Sequence, residues 1–536
     1  MWWILLKKNN NGTAYHLFIV LIIGLVMRLV LTTVFNQPFS TDVWPLIKIS
    51  ERLLENPHVK IFDDRFFDGY NNRWPGVVLS TSVASAVMGL DIYTVYRYLY
   101  PIIVITAFST LLYLLLKTHT RDRGAASIGL LYFLSIPSFI VFSSALLKEV
   151  YAYPFLFILL FYALKKRCRL GRDALLSLIV SMGLVMTHFF VTLMAIGILG
   201  STLLAYIIGR MMKGIRSSEN GVVSRAMIII TMLSLVFATY YSLFGYPSLK
   251  MVFTVKDVLI YISYNVFVFG TYILQHRRGA GNVLKIVALT IVLTLLLLAT
   301  VYDAPLLPGV EVESSVIPYY IVPVILPLVF FAWLSERDWE NVFLLKYLLC
   351  GVVLFTTVNI LFIVFSKPEL STIFHRMVAY LILANTVLVT TASNGVEKWM
   401  RKASVAASII AVLSSCIVLV NIIGGVDDLV FTWSYRVGEV HGFSYALEYS
   451  DGEEVLCGDV KFSYYASIER SIDTACVLKA MYTGYNIGNK SVIVLYIDNY
   501  LKGYMVGLNV YRINEFIEKS MDMQRVFDNG YVFLFK

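Results

Sequence analysis

Apolar runs of about 20 residues, long enough to cross a hydrocarbon core as helices, recur from Tyr15 to Ile423 between short polar stretches. The pattern predicts an all-α polytopic membrane region of about 13 transmembrane helices. The first, about 14–35, is followed by a polar loop at 36–75 and then by VVLSTSVASAVMGL. That segment is short and rich in Ser and Ala, so it is expected to dip into the interface and not to cross. Crossings follow at about 95–116, through LLYFLSIPSFIVFSS, and after Lys148-Glu149. The run from Leu175 to Ile208 is too long for one crossing and carries Thr187-His188 near its middle, so it divides there. Further spans are expected at about 226–244, 257–274, 284–301, 318–334 and 345–365, then from His375-Arg376, and last at 404–423.

Beyond Gly424 polar and apolar positions mix. EEVLCGDV and SVIVLYIDN read as strands, RINEFIEKSMD as a helix, and QRVFDNGYVFLFK as a hairpin turning at Asp528-Asn529-Gly530. A small α/β domain is therefore expected over 425–536, after a membrane domain over 1–424.

The loop 36–75 has a pattern of its own. Thr41 or Asp42 is placed to cap a helix with Pro45 in its first turn, because a carboxylate accepts from the free N–H groups there and proline removes only an orphan donor. Val43, Leu46, Ile47, Leu53 and Leu54 then fall on one side, and Lys48, Glu51, Arg52 and Glu55 on the other, with Ile49 off the stripe. Such a helix should lie on the membrane surface with its charged face toward water, and Asp42 at its start.

Composition narrows the class. With 58% hydrophobic and 15% charged residues and a mean hydropathy of +0.74, the chain is not a water-soluble globule. The first apolar run is a full span without a small-residue cleavage site, so no cleavable signal peptide is expected. A net charge of +9 could suggest nucleic acid, but Lys and Arg collect in short loops, as at Lys117, Arg121 and Arg123, or Lys165 to Arg172. These are orientation signals and not a nucleic-acid surface. They predict a multi-pass protein of the cell membrane with a cytoplasmic N-terminus and an extracytoplasmic C-terminal domain.

In that topology the rare ionisable residues converge at the outer ends of spans: Asp42, Asp63, Asp64, Lys148, Glu149, His188, Glu311, Glu313, His375 and Arg376. Such residues at membrane depth are functional candidates by their desolvation cost. Each has a structural alternative. Asp42 could be only a cap, Asp63 and Asp64 solvated partners of Arg65, Lys148 and Glu149 a self-satisfied turn, His188 a hydrogen-bonded core residue, and Arg376 a snorkelling one. A carboxylate facing cations at a membrane boundary suits transfer from a lipid phosphate. Arg376, Lys148 or His188 would hold the phosphate while Asp42, as general base, takes the acceptor proton, and a single displacement inverts the anomeric carbon. Cys457 and Cys476 both fall in the C-terminal domain, where an oxidising compartment permits a disulfide and burial equally permits two free thiols.

The order of first span, acidic loop with an Asp at a helix start, Trp74-Pro75 before an interfacial helix, basic inner loops and a late outer domain resembles the GT-C superfamily of integral membrane glycosyltransferases. Its topology is most like the oligosaccharyltransferase branch. The resemblance implies a catalytic role for Asp42, and a role for Arg376 like that of the arginine near the start of the penultimate span. It implies a divalent metal, Mg or Mn, near Glu149 and the Glu311/Glu313 pair, with Asp63 and Asp64 as further metal or acceptor candidates. The branch's WWDYG motif is absent, and the corresponding stretch reads Phe431-Thr432-Trp433-Ser434-Tyr435. The implied activity is transfer of a sugar from a polyprenyl-phosphate donor to a glycan, lipid or protein acceptor among membrane lipids. A transporter or flippase for a lipid-linked substrate, and a scaffold whose outer domain binds a partner, are the competing classes. A transporter calls for polar groups near the midplane, reachable from both faces.

Overall fold

The computed structural model describes residues 11–145, 147–164, 170–213, 220–246, 254–276, 323–325, 327, 343–366, 374–394, 398–424, 433–450, 454–483, 491–506, 509–520 and 523–536. The long helices follow the apolar runs: α1 (Asn11–Phe35), α4 (Tyr100–Thr120), α5 (Arg123–Leu134), α6 (Pro137–Ser144), α7 (Lys148–Ala163), α8 (Leu170–Thr187), α9 (Phe189–Lys213), α10 (Asn220–Tyr240), α11 (Val255–His276), α12 (Phe343–Ser366), α13 (Phe374–Ser393) and α14 (Lys398–Ile423). Among the described residues six helices are long and apolar enough to cross a membrane, and the bent pair α5–α6 makes a seventh. The span expected at 284–301, most of that at 318–334, and Glu311 and Glu313 lie outside the described residues.

The division at Thr187-His188 falls where α8 ends and α9 begins. The crossing through LLYFLSIPSFIVFSS is broken, with α5 and α6 meeting at 67°. The cause is local, since Pro137 opens α6 and pushes Ile136 before it into an extended conformation. Arg28 of α1 fills this corner. Its Nε donates to Ser143 Oγ at 2.7 Å, and its Nη1 donates to the carbonyls of Gly24 at 2.8 Å and Leu134 at 3.0 Å. The guanidinium thus serves a carbonyl left free at the end of α5.

The loop after α1 forms the amphipathic helix α2 (Val43–Glu55), a short 3₁₀ turn (Asn71–Arg73) and then the short apolar helix α3 (Gly76–Met88). Two expectations for α2 change. Asp42 holds the N-cap position but has helical backbone angles, φ −66° and ψ −15°, and its side chain makes no capping bond. The helix also does not simply float on a surface. Val43, Trp44, Leu46, Ile47 and Ile49 are all buried, because α2 is clasped between the helical bundle and the C-terminal region.

In that region a five-stranded mixed sheet has the order β2-β1-β3-β7-β6, where β1 is Val455–Cys457, β2 Ile472–Asp473, β3 Ser491–Tyr496, β6 Arg525–Asp528 and β7 Val532–Phe535. β4 (Tyr504–Val506) and β5 (Asn509–Tyr511) pair separately. Around them pack α15 (Val437–Tyr449), α16 (Val460–Ala466), α17 (Cys476–Thr483), α18 (Ile497–Leu501) and α19 (Asn514–Ser520). The expected hairpin is β6–β7, with Gly530 at φ 80°, a backbone conformation open to glycine. The end of SVIVLYIDN leaves the sheet as α18, and α15, α16 and α17 were not anticipated. Cys457 and Cys476 are both free thiols, buried in one core.

Candidate functional site

The site is assembled around α2. Its anchor is Trp74-Pro75-Gly76: the Trp74 ring lies 5.7 Å from Phe189 and 5.4 Å from Tyr240. A Cβ on Gly76 would meet Thr187 Oγ1 at 2.6 Å and Thr187 Cα at 2.9 Å, so only glycine lets α3 start against the α8–α9 junction. The loop before it is closed by Asp64, which accepts from Arg73 Nη2 at 2.6 Å and from Asn72 Nδ2 at 2.9 Å. Arg73 holds the Asp64 carboxyl below the usual carboxylate range, with Asn72 assisting. Asp63 pairs outward with exposed Arg65, whose side chain holds its carboxyl down to about 2. The two aspartates are thereby engaged in loop ion pairs.

The groups that come together are Asp42, Lys148, Glu149, His188 and Arg376. Asp42 is half-buried at the start of α2, and loss of hydration raises its pKa, which the charges of Arg376 and Lys148 and the nearby Tyr464 hydroxyl lower in part. Lys148 begins α7 with 8% of its surface exposed. Its Nζ sits 4.1 Å from the centre of the Tyr70 ring, between the charges of Asp42 and Asp68, and has no hydrogen-bond partner among the described residues. Glu149, 1% exposed, accepts from the Tyr153 hydroxyl at 3.3 Å, and its other oxygen lies 3.7 Å from Arg376 Nε. That separation is an ion pair without a hydrogen bond. Arg376 Nε has no hydrogen-bond partner among the described residues, and the guanidinium is 5.9 Å from the centre of the Phe190 ring. His188 fills the N-cap position of α9, its Nδ1 accepting from Val191 N–H at 3.3 Å. With Nδ1 accepting, the imidazole carries its proton on Nε2.

Three contributors were not among the sequence candidates. Asp68 accepts from the backbone of Tyr70 at 3.0 Å and of Asn71 at 2.7 Å and faces Lys148. Tyr70 lies among Arg376, Asp42, Asp68 and Glu149, and burial pushes its phenol up. Tyr464 comes from α16, far along the chain. Among the described residues no three potential ligands converge to hold a metal ion, and Glu149 faces a guanidinium instead. The described residues therefore do not by themselves fit a divalent metal.

No protein-family model and no curated protein matches the sequence. Solved structures do match. The crystal structure of ArnT from Cupriavidus metallidurans bound to undecaprenyl phosphate aligns with a TM-score of 0.50 at 10% identity, covering 98% of each chain. The Archaeoglobus fulgidus oligosaccharyltransferase tethered to an acceptor peptide containing the NVT sequon aligns with a TM-score of 0.53 at 11% identity, over 98% of this chain and 74% of that one. This chain has a GT-C fold. In this chain the acidic first loop, the short apolar helix α3 and the late sheet occupy the order that the sequence resemblance anticipated.

Proposed function

We propose that the chain is a membrane glycosyltransferase that moves a sugar from a polyprenyl-phosphate donor to an acceptor on the extracytoplasmic face, with Asp42 as general base. The observation that carries the reading is the pairing of a carboxylate free of capping duty with a buried lysine whose ammonium has no hydrogen-bond partner among the described residues. A buried ammonium in that state is costly, and a phosphate oxygen would satisfy it. Support of a second kind is that the similar ArnT structure holds undecaprenyl phosphate and the similar oligosaccharyltransferase holds an acceptor peptide.

In the proposed reaction the donor phosphate lies against Lys148 and Arg376, with His188 Nε2–H as a further donor. The acceptor nucleophile attacks the anomeric carbon from the Asp42 side, and its proton passes to the carboxylate. The bond from anomeric carbon to phosphate oxygen breaks with its electron pair on the phosphate, whose charge the two cations stabilise. The result is inversion. Glu149 holds Arg376 in place from behind. Asp63, Asp64, Glu311 and Glu313 are assigned no step, and a chelator arm decides whether a divalent metal takes part.

The test is transfer of radiolabelled sugar from a panel of polyprenyl-phosphate donors in membranes containing the wild-type chain or Asp42→Asn. Loss of base catalysis is expected to lower the rate about 10²–10⁴-fold. Undiminished transfer by a folded Asp42→Asn chain would place the base elsewhere. No transfer from any donor, with donor movement across reconstituted vesicles, would favour a flippase.

A further inference from the structure

The buried ammonium of Lys148 raises a question of its own, which is what keeps it off the carboxylates. Among the described residues its Nζ has no hydrogen-bond partner and forms no ion pair. What it has is an aromatic face. Nζ stands 4.1 Å from the centre of the Tyr70 ring, against 5.9 Å for Arg376 over Phe190. At that distance a cation removed from water is drawn to the negative face of the ring. Lys148 also opens α7, where the positive end of the helix dipole disfavours a cation, so the ring supplies an attraction that the helix does not.

The loop holds that ring from both sides. Before it, Asp68 Oδ1 accepts from the N–H of Tyr70 at 3.0 Å and of Asn71 at 2.7 Å, and Asp68 Oδ2 accepts from Asn71 Nδ2. After it, the Tyr70 carbonyl accepts from Arg73 N–H at 3.2 Å across the 3₁₀ turn. Within that turn Asn72, fully buried, donates its Nδ2 to the Ile61 carbonyl at 3.0 Å. The Tyr70 ring then packs against the core of the helical bundle. These bonds also occupy Asp68. Both of its oxygens serve N–H groups of the loop, so the carboxylate two residues before the ring does not capture the ammonium.

A ring and a carboxylate leave an ammonium in different states. A carboxylate takes its N–H donors and cancels its charge, whereas a ring attracts the cation through a quadrupole and leaves the charge in place. We propose that Tyr70 is a positioning residue for Lys148, seating the ammonium on its ring clear of the site's carboxylates, so that charge and N–H donors meet the phosphate uncommitted. The assignment rests on the transferase reading for its purpose but not for its geometry. Without the seat the ammonium turns onto Asp42 or Asp68, and that pairing has to break before a phosphate binds.

Two measurements on the purified full chain test the seat. In protein labelled with carbon-13 at lysine Cε, the Lys148 methylene signal, identified by its loss in Lys148→Met, is expected upfield of the other lysines because of the ring current. Tyr70→Phe should leave it there and Tyr70→Leu should move it back. The second measurement is binding of radiolabelled undecaprenyl phosphate. Phenylalanine at position 70 should bind like the wild type, and phenylalanines carrying one, two and three ring fluorines, nearly equal in size but progressively poorer in electrons on the face, should raise Kd step by step. Tyr70→Leu is expected to raise it about 3- to 30-fold. The fluorine series covers a failure of the leucine variant to fold, and a ring that only fills space would not respond to it. A Lys148 signal that folded Tyr70→Leu leaves in place, or a Kd flat along the fluorine series, would overturn the seat even in a chain that transfers sugar. A graded Kd in a chain that transfers from no donor would keep the seat and sink the transferase reading.

Discussion

Asp42 carries a cost that its surroundings only partly relieve, since loss of hydration raises its pKa against Arg376, Lys148 and Tyr464. A carboxyl whose pKa is raised in the folded chain favours the protonated form there, so its contribution to stability is fullest at low pH and is lost as pH rises through the folded value. Asp42→Asn, permanently neutral, is therefore expected to raise the thermal midpoint at pH 7 even as it slows transfer, with the gap closing as pH falls. In the proposed mechanism the rate has the opposite dependence, because the carboxylate would be the active form, so transfer should fall off in acid at a pH above the ordinary aspartate range. At Lys148, replacement by Met should weaken donor binding about 10- to 100-fold, read as a rise in KM, because a charge-assisted bond to phosphate is lost. Asp42, Lys148, His188 and Arg376 were legible in the sequence because charge is scarce near the ends of apolar runs. Tyr464, Tyr70 and Asp68 were not, since a tyrosine or aspartate in a polar stretch gives no contrast and only the fold brings them to the site.

Among the elements, α2 shows what periodicity can and cannot say. The spacing gave the helix and its apolar stripe, but Ile49, off that stripe, is fully buried, and Lys48 meets Glu469. A helix clasped on two sides has two apolar faces, and a pattern read for one face assigns the second to water. Trp44→Ala should cost about 3–5 kcal/mol by emptying the aromatic nest with Tyr435 and Tyr465, measured by thermal unfolding and by protease sensitivity of the C-terminal region. The loop clasp is weaker. Removing Arg73 should cost roughly 1 kcal/mol, since the pair with Asp64 is partly exposed and screened by solvent. Asp63→Asn, on an exposed pair, should leave unfolding unchanged. The helices α15 to α17 escaped the sequence reading because short helices in a mixed sheet region leave no long period to detect.

For the whole molecule, the GT-C fold was readable from the order of segments even though residue identity to the similar structures is only 10–11%. Order survives because each apolar run must cross and each charged loop must not, a constraint on polarity and not on particular side chains. The same constraint explains why the broken crossing at α5–α6 was read as a simple span: hydropathy records that a segment is apolar, not that Pro137 bends it. The corner so made has a consequence during synthesis. Arg28 makes the first apolar segment expensive to leave in lipid by itself, about 2.5–3.5 kcal/mol for an arginine at the centre of an inserting helix. Its relief comes from Leu134 and Ser143, more than a hundred residues later. A nascent chain cut before residue 134 should therefore integrate its first segment poorly in a translocon assay, Arg28→Leu should cure that defect, and a chain extended past residue 144 should no longer need the cure. The helix α1 thus depends on residues translated well after it.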